Sequence, residues 1–163
     1  MMATGPAVEY RVKSATESEI RSHLDECNND FMPSLDQRTD IAAYSKRIVD
    51  NAVTFEAWAD NRLIGLVATY INPVEQFAFI TDVSVIRKYT GMGIASTLMQ
   101  MCLRHVEQSR MREVRLEVSP ENKPALLLYQ KFGFTVTENK DKVVPMRLFI
   151  AQKGNGAESR RPA

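Results

Sequence analysis

Residues 77–106 read FAFITDVSVIRKYTGMGIASTLMQMCLRHV, and two periodicities meet inside this stretch. From Phe77 to Val85 the side chains alternate, with Phe77, Phe79, Thr81, Val83 and Val85 on one side and Ala78, Ile80, Asp82 and Ser84 on the other, as a strand requires. Both sides are largely apolar, which places the strand in the middle of a sheet. From Ile94 onward, Leu98, Met101, Cys102 and Val106 recur at helical spacing and predict an amphipathic helix from about Ile94 to Arg110. Gly91 and Gly93 occupy the turn between the two. Glycine lets the backbone approach an anion, and the first helical turn offers unpaired N–H groups at the positive end of the helix dipole. Two glycines at such a turn are equally often mere punctuation. The Gly-Lys-Ser/Thr ending of a nucleotide P-loop is absent, and no third glycine or alanine follows at the dinucleotide spacing.

Working outward, Val114, Leu116 and Val118 alternate as a second strand. A helix between two strands implies parallel neighbours joined by a right-handed crossover. Upstream, Val53–Ala59 and Leu63–Ile71 are rich in β-branched and aromatic residues, and Asp60-Asn61 suits a tight hairpin turn. Val8–Val12 predicts a first strand. Thr16 and Glu19 then match a capping box ahead of a helix that buries Ile20, Leu24 and Cys27. Ser34 and Gln37 repeat that pattern before a second helix marked by Ile41, Tyr44 and Ile48. Downstream, Asn122 caps a short helix, Pro124 fits its first turn, and Gly133 stops it. Phe134–Thr137 and Val143–Ala151 read as a closing pair of strands, which makes one domain over 1–152, with residues 153–163 a frayed tail.

A chain of 163 residues with 44% hydrophobic content can bury one substantial core. Its net charge of +1 supplies no field to draw it onto nucleic acid or an anionic membrane. No apolar run approaches the roughly 20 residues of a membrane span, and residues 1–8 lack a secretory pattern. A cytoplasmic location is therefore expected, with no nucleic-acid or membrane partner. Cys27 and Cys102 do not form a disulfide framework, and no Cys or His cluster has metal spacing. His23 and His105 read as solvated or packed.

Two segments together carry a resemblance. Thr90-Gly91-Met92-Gly93-Ile94-Ala95 matches the last glycine and the alanine of an Arg/Gln-x-x-Gly-x-Gly/Ala loop. Asn122, Ala125, Tyr129 and Phe132-Gly133-Phe134 match an Asn-x-x-Ala-x-x-x-Tyr-x-x-x-Gly-Phe pattern at every position. In these motifs the chain resembles the GNAT superfamily of N-acetyltransferases. Thr90 stands where that family has Arg or Gln, which removes one phosphate contact that Arg87 or Lys88 could replace. The resemblance implies an α/β (α+β) fold: a mixed, mostly antiparallel sheet with two splayed parallel central strands and flanking helices. It implies acetyl-CoA as cosubstrate, with backbone groups of Val83 and Val85 on the pantetheine amides. The N–H groups of Gly91, Gly93, Ile94 and Ala95, with Thr90, would take the pyrophosphate, and Asn122 would lie near the cofactor.

Acetylation of an amine needs an acid for the departing thiolate and a route for the amine proton. The resemblance gives Tyr129 the acid's position. For the base, Asp82 precedes the loop on the central strand, Glu117 lies on its neighbour, and a chain of waters is the alternative. A charge within a central strand is costly unless paired, which puts Asp82 first beside a structural hydrogen-bonding role. The expected acceptor is the primary amine of a small molecule or amino sugar, near Phe31, Met32, Asp36, Arg38, Asp40 and Tyr44. Trp58 and Tyr70 either flank the cleft or pack. A protein N-terminus or lysine is the other acceptor, a non-catalytic acyl-CoA-binding or interaction module is the rival function, and a homodimer is compatible with either.

Overall fold

Asp60 and Asn61 take φ of 52° and 61°, the left-handed pair that a two-residue hairpin turn demands. This computed structural model describes residues 7–138 and 142–151; the tail expected over 153–163 lies outside them. The turn joins β2 (Val53–Ala59) to β3 (Arg62–Asn72) in antiparallel register, with a bulge between Ala57 and Trp58. The first strand, β1 (Glu9–Val12), pairs antiparallel with β2. The stretch that opened the reading forms β4 (Phe77–Val85) and the helix α4 (Ile94–Gln108). Beyond it lie β5 (Glu113–Val118), α5 (Lys123–Lys131), β6 (Thr135–Val136) and β7 (Val144–Phe149). The seven strands run in the order β1-β2-β3-β4-β5-β7-β6. Among the described residues only β4 and β5 are parallel neighbours, and their register covers three pairs, Phe77–Glu113 to Phe79–Arg115, although both strands continue beyond it.

Backbone contacts divide the chain into two compact units, Met1–Tyr70 with Ile80–Cys102, and Ile71–Phe79 with Leu103–Ala163. In the first, α1 (Glu17–Cys27) starts with the expected capping box at Thr16 and Glu19 and buries Ile20, His23, Leu24 and Cys27. The second helix differs from expectation. It is split into α2 (Leu35–Arg38) and α3 (Ile41–Asn51), because Thr39 is extended at φ −161° and Asp40 caps α3 through the amide of Ala43. Ser34 makes no cap bond; its hydroxyl donates to Asp36 instead.

One face of β3 feeds a cluster with Ile20, Leu24, Leu35, Ile48 and Trp58, through Leu66 and Ala68. The other face receives α4. A Cβ added at Gly65 would sit 2.9 Å from Ile94 Cγ2 and 3.2 Å from Leu98 Cδ1. Further along, the Thr69 hydroxyl lies 3.2 Å from Cys102 Sγ. Trp58 is therefore packing, and its indole N–H donates to buried Glu56. Cys27 and Cys102 are both buried free thiols. In the second unit, Tyr129 packs its ring 5.9 Å from that of Phe134. Among the described residues no helix is long and apolar enough to cross a membrane.

Candidate active site

The turn into α4 has the form its glycines suggested. Gly91 and Gly93 take φ of +82° and +80°, and a Cβ on either would meet nothing within 4 Å. The space at both Cβ positions is open, as close approach of a large anion to the backbone requires. Gly93 C=O accepts from Thr97 N as the helix begins, so Gly93, Ile94 and Ala95 stand in its first turn, whose amides have no partner within the helix. The Thr90 hydroxyl turns back to donate to the Arg87 carbonyl. Arg87 pairs with Asp30 on the 3₁₀ turn after α1, and Lys88 lies over the Tyr89 ring at 5.7 Å. The groups present fit the pyrophosphate of acetyl-CoA through backbone amides more than through a fixed cation.

Along β4 burial alternates. Ala78, Ile80, Asp82 and Ser84 are buried, whereas Val83 and Val85 are half-buried. Asp82 is 4% exposed, and among the described residues its Oδ1 has no hydrogen-bond partner. Its Oδ2 accepts from Ser84 Oγ at 2.7 Å. Burial pushes its carboxyl up to about 7, although Ser84 and, more weakly, Arg38 hold it down. His23 on α1 lies 2.9 Å from the same hydroxyl through Nε2, and 2.9 Å from the Leu63 carbonyl through Nδ1. Desolvation pulls this imidazole down to about 4. His23 is packed, one of the two readings its position allowed, and Asp82 is one hydroxyl away from it. The signal in the sequence was His23 falling on the buried stripe of α1 between Ile20 and Cys27.

Of the acceptor-side candidates, Tyr44 donates to the Thr81 carbonyl at 2.7 Å, and burial pushes its phenol well above the usual range. Arg38 stacks over Phe31 at 5.9 Å, Asp40 is spent as a cap, and Met32 is exposed. Tyr70 is partly buried against the α1–α3 cluster. In the second unit, Asn122 Oδ1 accepts from Ala125 N at 3.3 Å and so caps α5. Tyr129 is 7% exposed and Glu117 is exposed.

Comparison with known proteins bears on the family and the fold. The sequence model of the acetyltransferase (GNAT) family matches residues 17–134. Mycothiol acetyltransferase of Thermomonospora curvata is 35% identical over 86 residues, which are 53% of this chain and 29% of that relative. N-alpha-acetyltransferase MAK3 of Arabidopsis thaliana is 41% identical over 56 residues, 34% of this chain and 30% of that relative. The chain thus spans under a third of either curated relative. A PaiA N-acetyltransferase from Thermoplasma acidophilum, solved with coenzyme A, superposes with a TM-score of 0.69 at 17% identity, covering 88% of this chain and 99% of that one; at that identity the likeness speaks for the fold. With the family model running from α1 through the glycine turn to Phe134, the chain belongs to the GNAT family of acetyltransferases.

Proposed function

We propose that the protein transfers the acetyl group of acetyl-CoA to the primary amine of a small molecule or amino sugar, with residues 1–152 acting as one catalytic domain. The observation that carries this reading is the glycine turn into α4, where Gly91 and Gly93 take positive φ and the space at both Cβ positions is open, so that an anion can approach the backbone at the start of the helix. The amides of Gly91, Gly93, Ile94 and Ala95, with Thr90, take the pyrophosphate. Backbone groups of Val83 and Val85 take the pantetheine amides, and Asn122 borders the cofactor.

Acetyl-CoA supplies the electrophilic thioester carbonyl. The amine attacks it, the C–S bond breaks, and Tyr129 O–H protonates the thiolate. Asp82 accepts the amine proton. A carboxyl held near pH 7 by burial suits that task, because it is ionised at working pH yet still basic. Roles for Tyr129 and Asn122 are carried by the family motif alone. The similarity to an N-alpha-acetyltransferase favours a second acceptor, a protein N-terminus.

The test is release of free thiol from acetyl-CoA with a panel of small amines, amino sugars and short peptides. Amine-dependent release with the first two groups supports the proposal, and turnover of peptides alone moves the acceptor to a protein N-terminus. Tight acetyl-CoA binding without thiol release refutes catalysis. In Tyr129→Phe we expect kcat to fall about 100-fold with acetyl-CoA affinity unchanged, as for loss of a general acid.

A further inference from the structure

A serine hydroxyl carries one proton, and Ser84 has two neighbours that compete for it. Its Oγ lies 2.7 Å from Asp82 Oδ2 and 2.9 Å from His23 Nε2. The far side of the imidazole is fixed. The Leu63 carbonyl, 2.9 Å from Nδ1, can only accept, so Nδ1 carries a proton and Nε2 of the neutral ring is an acceptor. With Asp82 protonated, every contact is satisfied: the carboxyl O–H donates to Ser84, Ser84 to Nε2, and Nδ1–H to Leu63. With Asp82 ionised, the carboxylate accepts the Ser84 hydrogen bond, and Nε2 then faces Oγ with no hydrogen between them, with the weak Cys27 thiol donor at 3.8 Å beside it. His23, Asp82 and Ser84 are 2%, 4% and 9% exposed, so bulk water does not repair that contact.

We infer that His23, acting through Ser84, is a positioning residue that sets the proton affinity of Asp82 during acetyl transfer; the inference rests on Asp82 being the base. When the amine is deprotonated, its N–H bond breaks with the electron pair left on nitrogen, and an O–H bond forms on Asp82. The new carboxyl proton faces Ser84, whose own proton turns to Nε2, and no further bond is broken. Desolvation keeps His23 neutral near pH 7, as this acceptor role needs. Arg38 on α2, Tyr44 on α3 and Cys27 on α1 surround Asp82, while Glu26 on α1 and Arg62 on β3 face His23. Cys27 Sγ lies 3.8 Å from Nε2 and stays a thiol, pushed up to about 12.

The test follows the Asp82 carboxyl carbon and the His23 ring nitrogens by NMR in the full ligand-free chain, from about pH 5 to about pH 9. Wild type should show one shared midpoint near 7, because ionising Asp82 turns the hydroxyl away from Nε2. Ser84→Ala should raise the Asp82 midpoint by about one pH unit, since the carboxylate loses its donor. His23→Leu should lower it by about as much, since the hydroxyl is no longer shared. The acidic limb of kcat/KM, read as amine-dependent thiol release, should move in the same two directions. Separate midpoints for Asp82 and His23, or shifts of one sign in both variants, overturn the coupling; if His23→Leu does not fold, wild type and Ser84→Ala decide. Coupled midpoints with an unmoved acidic limb overturn its use in catalysis. Coupling without any thiol release sinks the functional reading instead, which keeps the two failures apart.

Discussion

Glu56 is a fully buried carboxylate with five donors on it. Oε1 accepts from the Ser14 hydroxyl and the Trp58 indole N–H, and Oε2 from the amides of Ser14 and Ala15 and the Thr54 hydroxyl. It thereby ties the start of α1 to β2. In Glu56→Gln, whichever way the amide turns, its NH2 meets an N–H donor, Trp58 on one side or Ser14 and Ala15 on the other. We expect a loss of about 3 kcal/mol from the charge-assisted bonds, read as a lower midpoint in urea unfolding with an unchanged slope; a loss under about 0.5 kcal/mol would mean the cluster rearranges freely. The charge on Val53–Ala59 is as conspicuous as Asp82, but its role was not legible in the sequence, because three of its five donors come from Ser14 and Ala15, about 40 positions away. Asp82 was legible because a charge on an otherwise apolar strand is conspicuous. Its partner His23 was not, because the contact links residues 61 positions from Ser84 and only the folded sheet joins them.

At the level of elements, patterns that depend on neighbours in sequence were read correctly. The hairpin turn, the Thr16 cap, the β4-turn-α4 passage and the Asn122 cap all have their determinants within four residues of one another. The misreading at Ser34 has the same scale: a capping-box spacing was present, but the Gln37 amide donates to the Ser34 carbonyl and the Ser34 hydroxyl donates to Asp36, and the side chain that caps α3 is Asp40. Two glycines of α4's surroundings illustrate different demands. Gly93 is needed for its backbone angle in open space, whereas Gly65 is needed because Ile94 and Leu98 sit on it. Gly93→Val should therefore leave a folded protein whose acetyl-CoA affinity falls at least about tenfold by calorimetry. Gly65→Val should instead destabilise by about 1–3 kcal/mol, since the added bulk pushes α4 off β3. Unchanged affinity in folded Gly93→Val would remove the loop from the cofactor site.

For the whole molecule, the sequence indicated which strands exist and that β4 and β5 run parallel, but not that β7 lies between β5 and β6. Strand order is a long-range property that local periodicity does not encode. Global stability carries another such property, since two buried groups of opposite habit share one hydrogen-bonded chain. Asp82 is raised from an ordinary 3.8 to about 7 on folding, so between those values the folded state holds the extra proton. Its stabilising contribution is full below about 3.8 and is lost as pH rises through about 7. His23 is lowered from 6.5 to about 4, so between those values the unfolded state holds the extra proton. Its contribution is full above about 6.5 and is lost as pH falls through about 4. Each slope reaches about 1.4 kcal/mol per pH unit, and from about pH 4 to about pH 6.5 they oppose and nearly cancel. Wild type should therefore show little net pH dependence from this pair, whereas Asp82→Asn should expose the His23 slope. Thermal midpoints of Asp82→Asn relative to wild type should rise with pH across that window and level off above about pH 7. A wild-type-minus-variant difference that stays constant from pH 4 to pH 6.5 would show that Asp82 is already ionised in the folded protein, and the cancellation would be refuted.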